Sequence, residues 1–397
     1  MTQSVSSKSI QSLAASKVSG ALPAVDGSAL TGISAGVYNS TSNPAVNSNR
    51  VLGTLWANSV SGELFICTDA TTDDNRWLNV GSGSGDTNHA YGGVGGGTAY
   101  GFCSGGSIGS TYLTLINRFS FASGVASTWG NLTLGRNTTG TVGASSSTHG
   151  YALNGYAGAP HDKGINIIDK FPFASGAGAT DFGDLNFQRS SASCSYDSTR
   201  AYVSGGRFQG VVGGPPAGHI NHKNIQTFLF ANNSSNTNHG DLTVINNHSG
   251  SCSSKTHGYV CGGTITNGGI DKFAFASSGG SRMPGDLNGG VATIRFSFSS
   301  SGHSSDTRGY LAGGDAQNST IDSFSYASDS AAGTGNGNLV VGVYTQAGST
   351  STTHGFLAGR DTSNQNIIQK FSFDNNNYAN DIGDLTTSYS YGTGAED

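Results

Sequence analysis

The chain has 397 residues, 62 of them Gly, with only 11% charged residues, a net charge of −5 and a pI near 6.0. Gly costs about 1 kcal/mol per position inside a helix, so this composition excludes long helices and points to short strands joined by tight turns. The 19 Lys and Arg form no run, which argues against nucleic acid or an anionic membrane surface as partner, and low net charge with 9% aromatics sets the chain apart from disordered sequences.

Residues 1–50 carry no strong periodicity and read as an extended attachment or stem segment. Their opening, MTQSVSSKSIQSLAASKVSG, lacks the apolar core of a signal peptide, and no stretch of the chain approaches the roughly 20 apolar residues that cross a bilayer. The expectation is a soluble protein not exported by a cleaved signal. Residues 51–85 form a small β-module and a hinge. VLGTLWANSVSGELFICTDATTDDNRWLNVG reads as three short strands, turning at Ser61-Gly62 and at Asp73-Asp74-Asn75, with Trp56, Phe65 and Trp77 as core. A segment of roughly 30 residues is too small to fold robustly alone. It is expected to lean on the repeats, a neighbouring chain or a symmetry mate. GSGSG at Gly81–Gly85 reads as a flexible hinge.

From residue 86 to 397 one unit recurs. Its first landmark is an aromatic in a strand of small residues, as in THGYALNG, TRAYVSGG and THGYVCGG. The aromatic is Phe102, Tyr151, Tyr202, Tyr259, Tyr310 and Phe356, at spacings of 49, 51, 57, 51 and 46 residues. About fifteen residues on, two aromatics alternate across one residue (F-x-F), beginning at Phe119, Phe171, Phe228, Phe273, Phe324 and Phe371. Period two places both rings on one strand face, expected to be buried between neighbouring units. The third landmark is Gly-Asp-Leu or Gly-Asn-Leu, ending at Leu132, Leu185, Leu242, Leu287, Leu339 and Leu385. It is read as a turn, the Gly at positive φ and the Asx side chain bonding its own backbone, with the Leu entering the next strand.

Each unit then offers three or four strands and an aromatic row it cannot bury alone, so units must stack. The period fits an all-β closed propeller of six blades better than the open β-solenoid or two-sheet alternatives. The Gly-Gly pair after the aromatic strand resembles kelch-type propellers, although F-x-F replaces the paired Trp and Tyr of typical kelch blades. TDFGDLNFQRSSASCSYDSTRAYVSGG further resembles kelch-like repeats in structural proteins of tailed bacteriophages. An extra strand is left over at one end. Either Thr87–Val94 or Thr386–Gly392 is expected to complete the last blade and tie the ring.

GTLWANSVSGELFICTDA...RWLNVG is similar to a small β-module of phage tail fibres, and ALPAVDGSALTGI at Ala21–Ile33 is similar to a motif of fibre stems. This resemblance implies a virion structural protein: a tail fibre, homotrimeric, docked on the particle through its N-terminal segment to other virion proteins and presenting the propeller to a host-surface glycan. Its localisation would be the virion, after assembly in the host cytoplasm. The alternatives are a capsid or tail decoration protein binding only other virion proteins, and a polysaccharide-degrading spike.

Chemistry-bearing motifs are sparse, so no enzyme activity, catalytic residue, metal or cofactor is expected. A glycosidase needs two carboxylates about a bond, and the only glutamates are Glu63 and Glu396. His149, His257 and His354 recur at equivalent places in different units, where Arg200 and Arg308 replace them, which suits a structural role at a strand start. The Asp residues of Gly-Asp-Leu and the cluster Asp69, Asp73 and Asp74 lack the ligand pattern of a calcium loop. No CxxC occurs among Cys67, Cys103, Cys194, Cys252 and Cys261, which read as buried thiols. The largest departure from the repeat is the insertion Gly206–Asn224 in the third unit. Insertions often carry binding function, and Phe208, His219, His222 and Lys223 are its candidate ligand-binding residues, expected to be exposed.

Overall fold

A computed structural model describes residues 37–60, 63–79, 97, 99–138, 143–158, 164–209, 219–232, 237–263, 269–278, 282–286, 301–314, 317–327, 334–343, 346–359, 366–374 and 378–397. The protein is all-β. The named elements are strands, with one short 3-10 turn at Val46–Ser48. Chain contacts divide it into two units, Met1–Asn88 and His89–Asp397.

In the first unit the three strands expected are Leu55–Asn58, Leu64–Asp69 and Arg76–Asn79. A fourth, Tyr38–Ser40, pairs parallel with Leu55–Asn58, so the sheet recruits residues from before residue 50. Trp56, Phe65 and Trp77 are buried together with Cys67. The Trp56 indole donates to the Ser42 carbonyl at 2.9 Å, and Arg50 lies 4.0 Å over the Tyr38 ring. These contacts draw the added segment onto the core. The turn at Ser61-Gly62, the hinge at 81–85 and the stem motif at 21–33 lie outside the described residues.

Among the described residues the second unit contains six antiparallel sheets whose main path is four strands long, an arrangement consistent with a propeller. The second sheet runs Gly143–Ser145, His149–Gly155, Ile165–Pro172, Thr180–Arg189 in space as in sequence. The third runs Ser193–Tyr196, Arg200–Ser204, Asn224–Leu229, Thr237–Asp241, and the fourth, fifth and sixth repeat this order. Burial falls from inside to outside. Sixth-sheet strands Ala347–Thr350 and His354–Ala358 are largely buried, Ile367–Ser372 alternates towards its end, and Asn380–Asp384 is largely exposed. Inner strands covered on both faces need small residues beside their aromatics, which explains the Gly, Ala and Ser of the first landmark.

The first sheet is completed from the far end of the chain. Ser390–Glu396 pairs antiparallel with Tyr100–Ile108, setting Ala395 opposite Phe102 and Glu396 opposite Gly101. The C-terminal stretch therefore completes the first sheet of the second unit, where it was expected to complete the last. Residues 87–94 lie outside the described residues.

The F-x-F rows bury themselves as expected, between sheets. The second aromatic of each row stacks on the landmark aromatic of the preceding sheet: Phe173 on Phe102, Phe230 on Tyr151, Phe275 on Tyr202, Tyr326 on Tyr259 and Phe373 on Tyr310, at 4.4–4.9 Å. Phe121 of the first sheet stacks on Phe356 of the sixth.

Where a turn was expected, Gly-Asx-Leu is a bulge in the outermost strand, near its end except in Thr180–Arg189. Gly383 has φ 152°, and the register between Ile367–Ser372 and Asn380–Asp384 shifts beside it. Pairing continues through the motif because a bulge absorbs one extra residue without reversing the chain. The Leu then turns inward and is buried, as at Leu132, Leu185, Leu242, Leu339 and Leu385, instead of opening a new strand.

Candidate functional site

The innermost strands of the six sheets meet in sequence, and Ser390–Glu396 touches both Gly143–Ser145 and Ala347–Thr350. Register with the second strands sets Ser145, Tyr196, Ser253, Ser304, Thr350 and Glu396 at one level. Side-chain oxygens accept amides of adjacent strands at this level: Tyr196 N–H donates to Ser253 at 3.1 Å, Ser253 N–H to Ser304 at 2.9 Å, and Glu396 N–H to Ser145 at 3.0 Å. One level away stand Gly143, Cys194, Ser251, Gly302, Gly348 and Gly394. A Cβ at Gly394 would run into the Gly348 carbonyl, so glycine allows these backbones to approach.

The cavity left at the centre is about 50 Å³ and is lined by Tyr196, His303 and Glu396 among small residues. It holds space for water and none for a sugar. The Tyr196 hydroxyl donates to Glu396 Oε1, and burial pushes the Glu396 carboxyl up to about 7. Burial also drives His303 down to about 4. Its Nδ1 lies 3.1 Å from the Ser349 carbonyl, and its Nε2 has no hydrogen-bond partner. Glu396 is the one carboxyl lining this cavity, so it does not assemble the carboxylate pair of a glycosidase. His149, His257 and His354 begin their strands, each ring within 2.7–2.8 Å of the preceding threonine hydroxyl. No cluster of three or more His, Cys, Asp or Glu able to hold a metal occurs among the described residues, where all five cysteines are buried thiols.

A second, open site lies beside the insertion. Arg207–Gln209 and His219–Asn221 pair as a two-stranded hairpin, Phe208 opposite Ile220 and Gln209 opposite His219. The segment 210–218 and the His219 side chain lie outside the described residues. Phe208 is half-buried within the hairpin rather than exposed. His222 is also half-buried, its ring stacked on Phe187 at 5.7 Å. Burial lowers its pKa, and Arg189 lowers it further. Lys223 is exposed and pairs with Asp241 at 3.1 Å.

His222 and Lys223 thus come together, with Phe187, Asn224, Gln226 and Asn238, around a cleft of about 500 Å³ between the second and third sheets. Phe208 is not among its lining residues. Phe187, which sequence reasoning missed, is 49% exposed. It lies on Thr180–Arg189, a strand of ten residues where the outermost strands of the third to sixth sheets have five. Two residues beyond the motif leucine the other units carry Leu134, Val244, Gly289, Val341 and Thr387, so an apolar residue at Phe187 did not stand out in the sequence.

No protein-family model matches the sequence, and no curated protein matches it. Among solved structures, that of YjhT is similar with a TM-score of 0.50 and 11% identity, over 65% of this chain and 87% of that one. At such identity the likeness concerns the fold alone.

Proposed function

We propose that the second unit is a closed six-bladed kelch-like propeller and that the whole chain is a virion structural protein, a homotrimeric tail fibre that binds a host-surface glycan without degrading it. The propeller reading is supported by six sheets in one strand order, by the return of Ser390–Glu396 to the first sheet, and by the stack of Phe121 on Phe356.

The attachment reading rests on one observation in the first unit. Val51 and Leu52, before the strand Leu55–Asn58, and Val60, after it, are 69%, 67% and 75% exposed on a unit with a four-residue core. We read this apolar exposure on so small a unit as surface available to another chain, which suits docking and trimerisation. The second unit supplies the complementary part, a ring of sheets with an open cleft at its margin.

Cryo-electron microscopy of particles, with light scattering of the purified chain, tests this. Trimers whose second units stand free of the particle, and which adsorb to host cells, are the expected result. Second units packed against capsid or tail would make the chain a decoration protein. Its absence from particles would overturn the virion reading altogether.

A further inference from the structure

Arg136 and Arg189 occupy one place in the repeat, four residues after the buried Leu132 and Leu185. Both are fully buried. Each reaches into the next sheet, to the residue two positions before the first aromatic of the F-x-F row. For Arg136 that residue is Asp169, and the two form an ion pair. For Arg189 it is Gln226, whose Oε1 accepts from the guanidinium at 2.6 Å. The Gly205 carbonyl accepts a second bond at 2.8 Å, and Arg189 Nε has no partner. No carboxylate pairs with Arg189 among the described residues.

A buried charge without a counter-charge is unfavourable, and the fold has a ready remedy, the aspartate it uses at 169. At 226 it carries a neutral amide instead. The uncancelled cation lies beneath the cleft, its guanidinium 5.9 Å from the Phe187 ring. Above it, three buried polar atoms of the lining lack partners: His222 Nε2, Asn224 Oδ1 and Gln226 Nε2. Gln226 is only 1% exposed. With its oxygen held by Arg189, its amide N–H is a polarised donor with nothing to receive it. Lys223 is neutralised by Asp241, so the excess positive charge comes from Arg189. Phe187 adds an aromatic face open to solvent. The cleft sits where the overlong strand Thr180–Arg189 meets the inserted hairpin, the two departures from the repeat.

We propose that this cleft binds an acidic sugar, with an apolar ring face on Phe187 and a carboxylate received by the Gln226 amide over the buried Arg189. The inference rests on the glycan-binding reading above and adds the charge and place of the ligand.

Calorimetry on the full chain at low salt, with tri-galacturonate and its methyl ester as probes, tests it. The acid is expected to bind at least tenfold more tightly than the ester. Gln226→Glu supplies Arg189 with the counter-charge that Asp169 gives Arg136, and should bring the acid down to the level of the ester. Phe187→Ala, at a solvent-exposed ring, should weaken the acid at least tenfold. Equal binding of acid and ester by the unmodified chain, or a preference that survives Gln226→Glu, would overturn the proposal. Adsorption to host cells read alongside separates the two ideas. Adsorption unchanged by Phe187→Ala would sink the cleft and leave attachment standing, whereas acid binding without adsorption would do the reverse.

Discussion

The ring of Phe121 lies on that of Phe356 at 4.3 Å, with their planes inclined by 24°, and this contact joins the first sheet of the second unit to the sixth. Both rings are buried. The same stack links every other neighbouring pair of sheets, so the first and sixth sheets are joined by the contact that propagates the array. Truncating a buried Phe to Ala costs about 3–5 kcal/mol. Phe121→Ala should therefore lower the urea midpoint of the second unit about as much as Phe230→Ala, its counterpart within the array. A loss at Phe121 below about 1 kcal/mol would mean that the ends are not held together by this stack.

Gly258 faces Phe273 across the fourth sheet, and a Cβ on it would fall within the Phe273 ring. Gly101, Gly150, Gly309 and Gly355 stand in the same relation to Phe119, Phe171, Phe324 and Phe371. In the third sheet the position is Ala201, opposite Phe228. A methyl is thus admissible when the surroundings adjust, and a branched side chain is not. Gly258→Ala should cost about 1–3 kcal/mol from overpacking and Gly258→Val more, both read by thermal melting. A neutral Gly258→Val would show that the ring moves aside freely.

What was legible in the sequence was whatever repeats. The spacing of Phe102, Tyr151 and their successors located the second strands, and the F-x-F rows correctly located the rings between sheets. Gly-Asx-Leu misled because Gly followed by Asx is as much the chemistry of a bulge as of a turn, and only pairing partners tell them apart. Tyr38–Ser40 was missed because a three-residue strand held by the Trp56 indole and by parallel pairing leaves no periodic trace. At the cleft, His222 and Lys223 were legible from the insertion. Phe187 and Gln226 were not, since their meeting depends on how two sheets face each other. Glu396, passed over as a scattered carboxylate, acquires its surroundings only when the last strand is brought back to the first sheet.

Asp169 is the counter-charge of Arg136, and both are without solvent exposure. Burial pushes the Asp169 carboxyl up against the pull of Arg136, and pushes the Arg136 guanidinium down. Thr133 donates to Asp169 through its hydroxyl at 2.5 Å and its amide at 3.3 Å, and the Ala152 and Ile167 carbonyls accept from Arg136 at 3.2 and 3.3 Å. Removing one partner of such a pair strands the other charge, at about 3–5 kcal/mol. Asp169→Asn is expected to lose that much in urea unfolding at pH 7. A loss under about 1 kcal/mol would show that the backbone carbonyls alone suffice for Arg136.

Glu396 makes stability depend on pH with a sign opposite to that of most carboxylates. Free in the unfolded chain it ionises near 4.5, and in the folded chain near 7, because burial beside Tyr196 and Thr350 penalises the charge more than their hydrogen bonds relieve it. The folded state therefore holds the proton more firmly. Its contribution is fully present below pH 4.5 and is lost as pH rises through 7, for a total of the order of 3 kcal/mol. His303 works in the other direction. Burial holds it neutral down to about 4, while the unfolded chain takes up the proton near 6.5, so its contribution is lost as pH falls from 6.5 towards 4. The two slopes oppose each other between pH 4.5 and 6.5, and the unmodified protein should be nearly level there. Glu396→Gln separates them, since an amide keeps the hydrogen-bonding shape without ionising. The stability of Glu396→Gln relative to the unmodified chain should climb from pH 4.5 to 7 and then flatten, as measured by urea midpoints at half-unit steps of pH. A difference that stays constant over that range would mean that Glu396 ionises normally and that the cavity it lines admits enough water to solvate it.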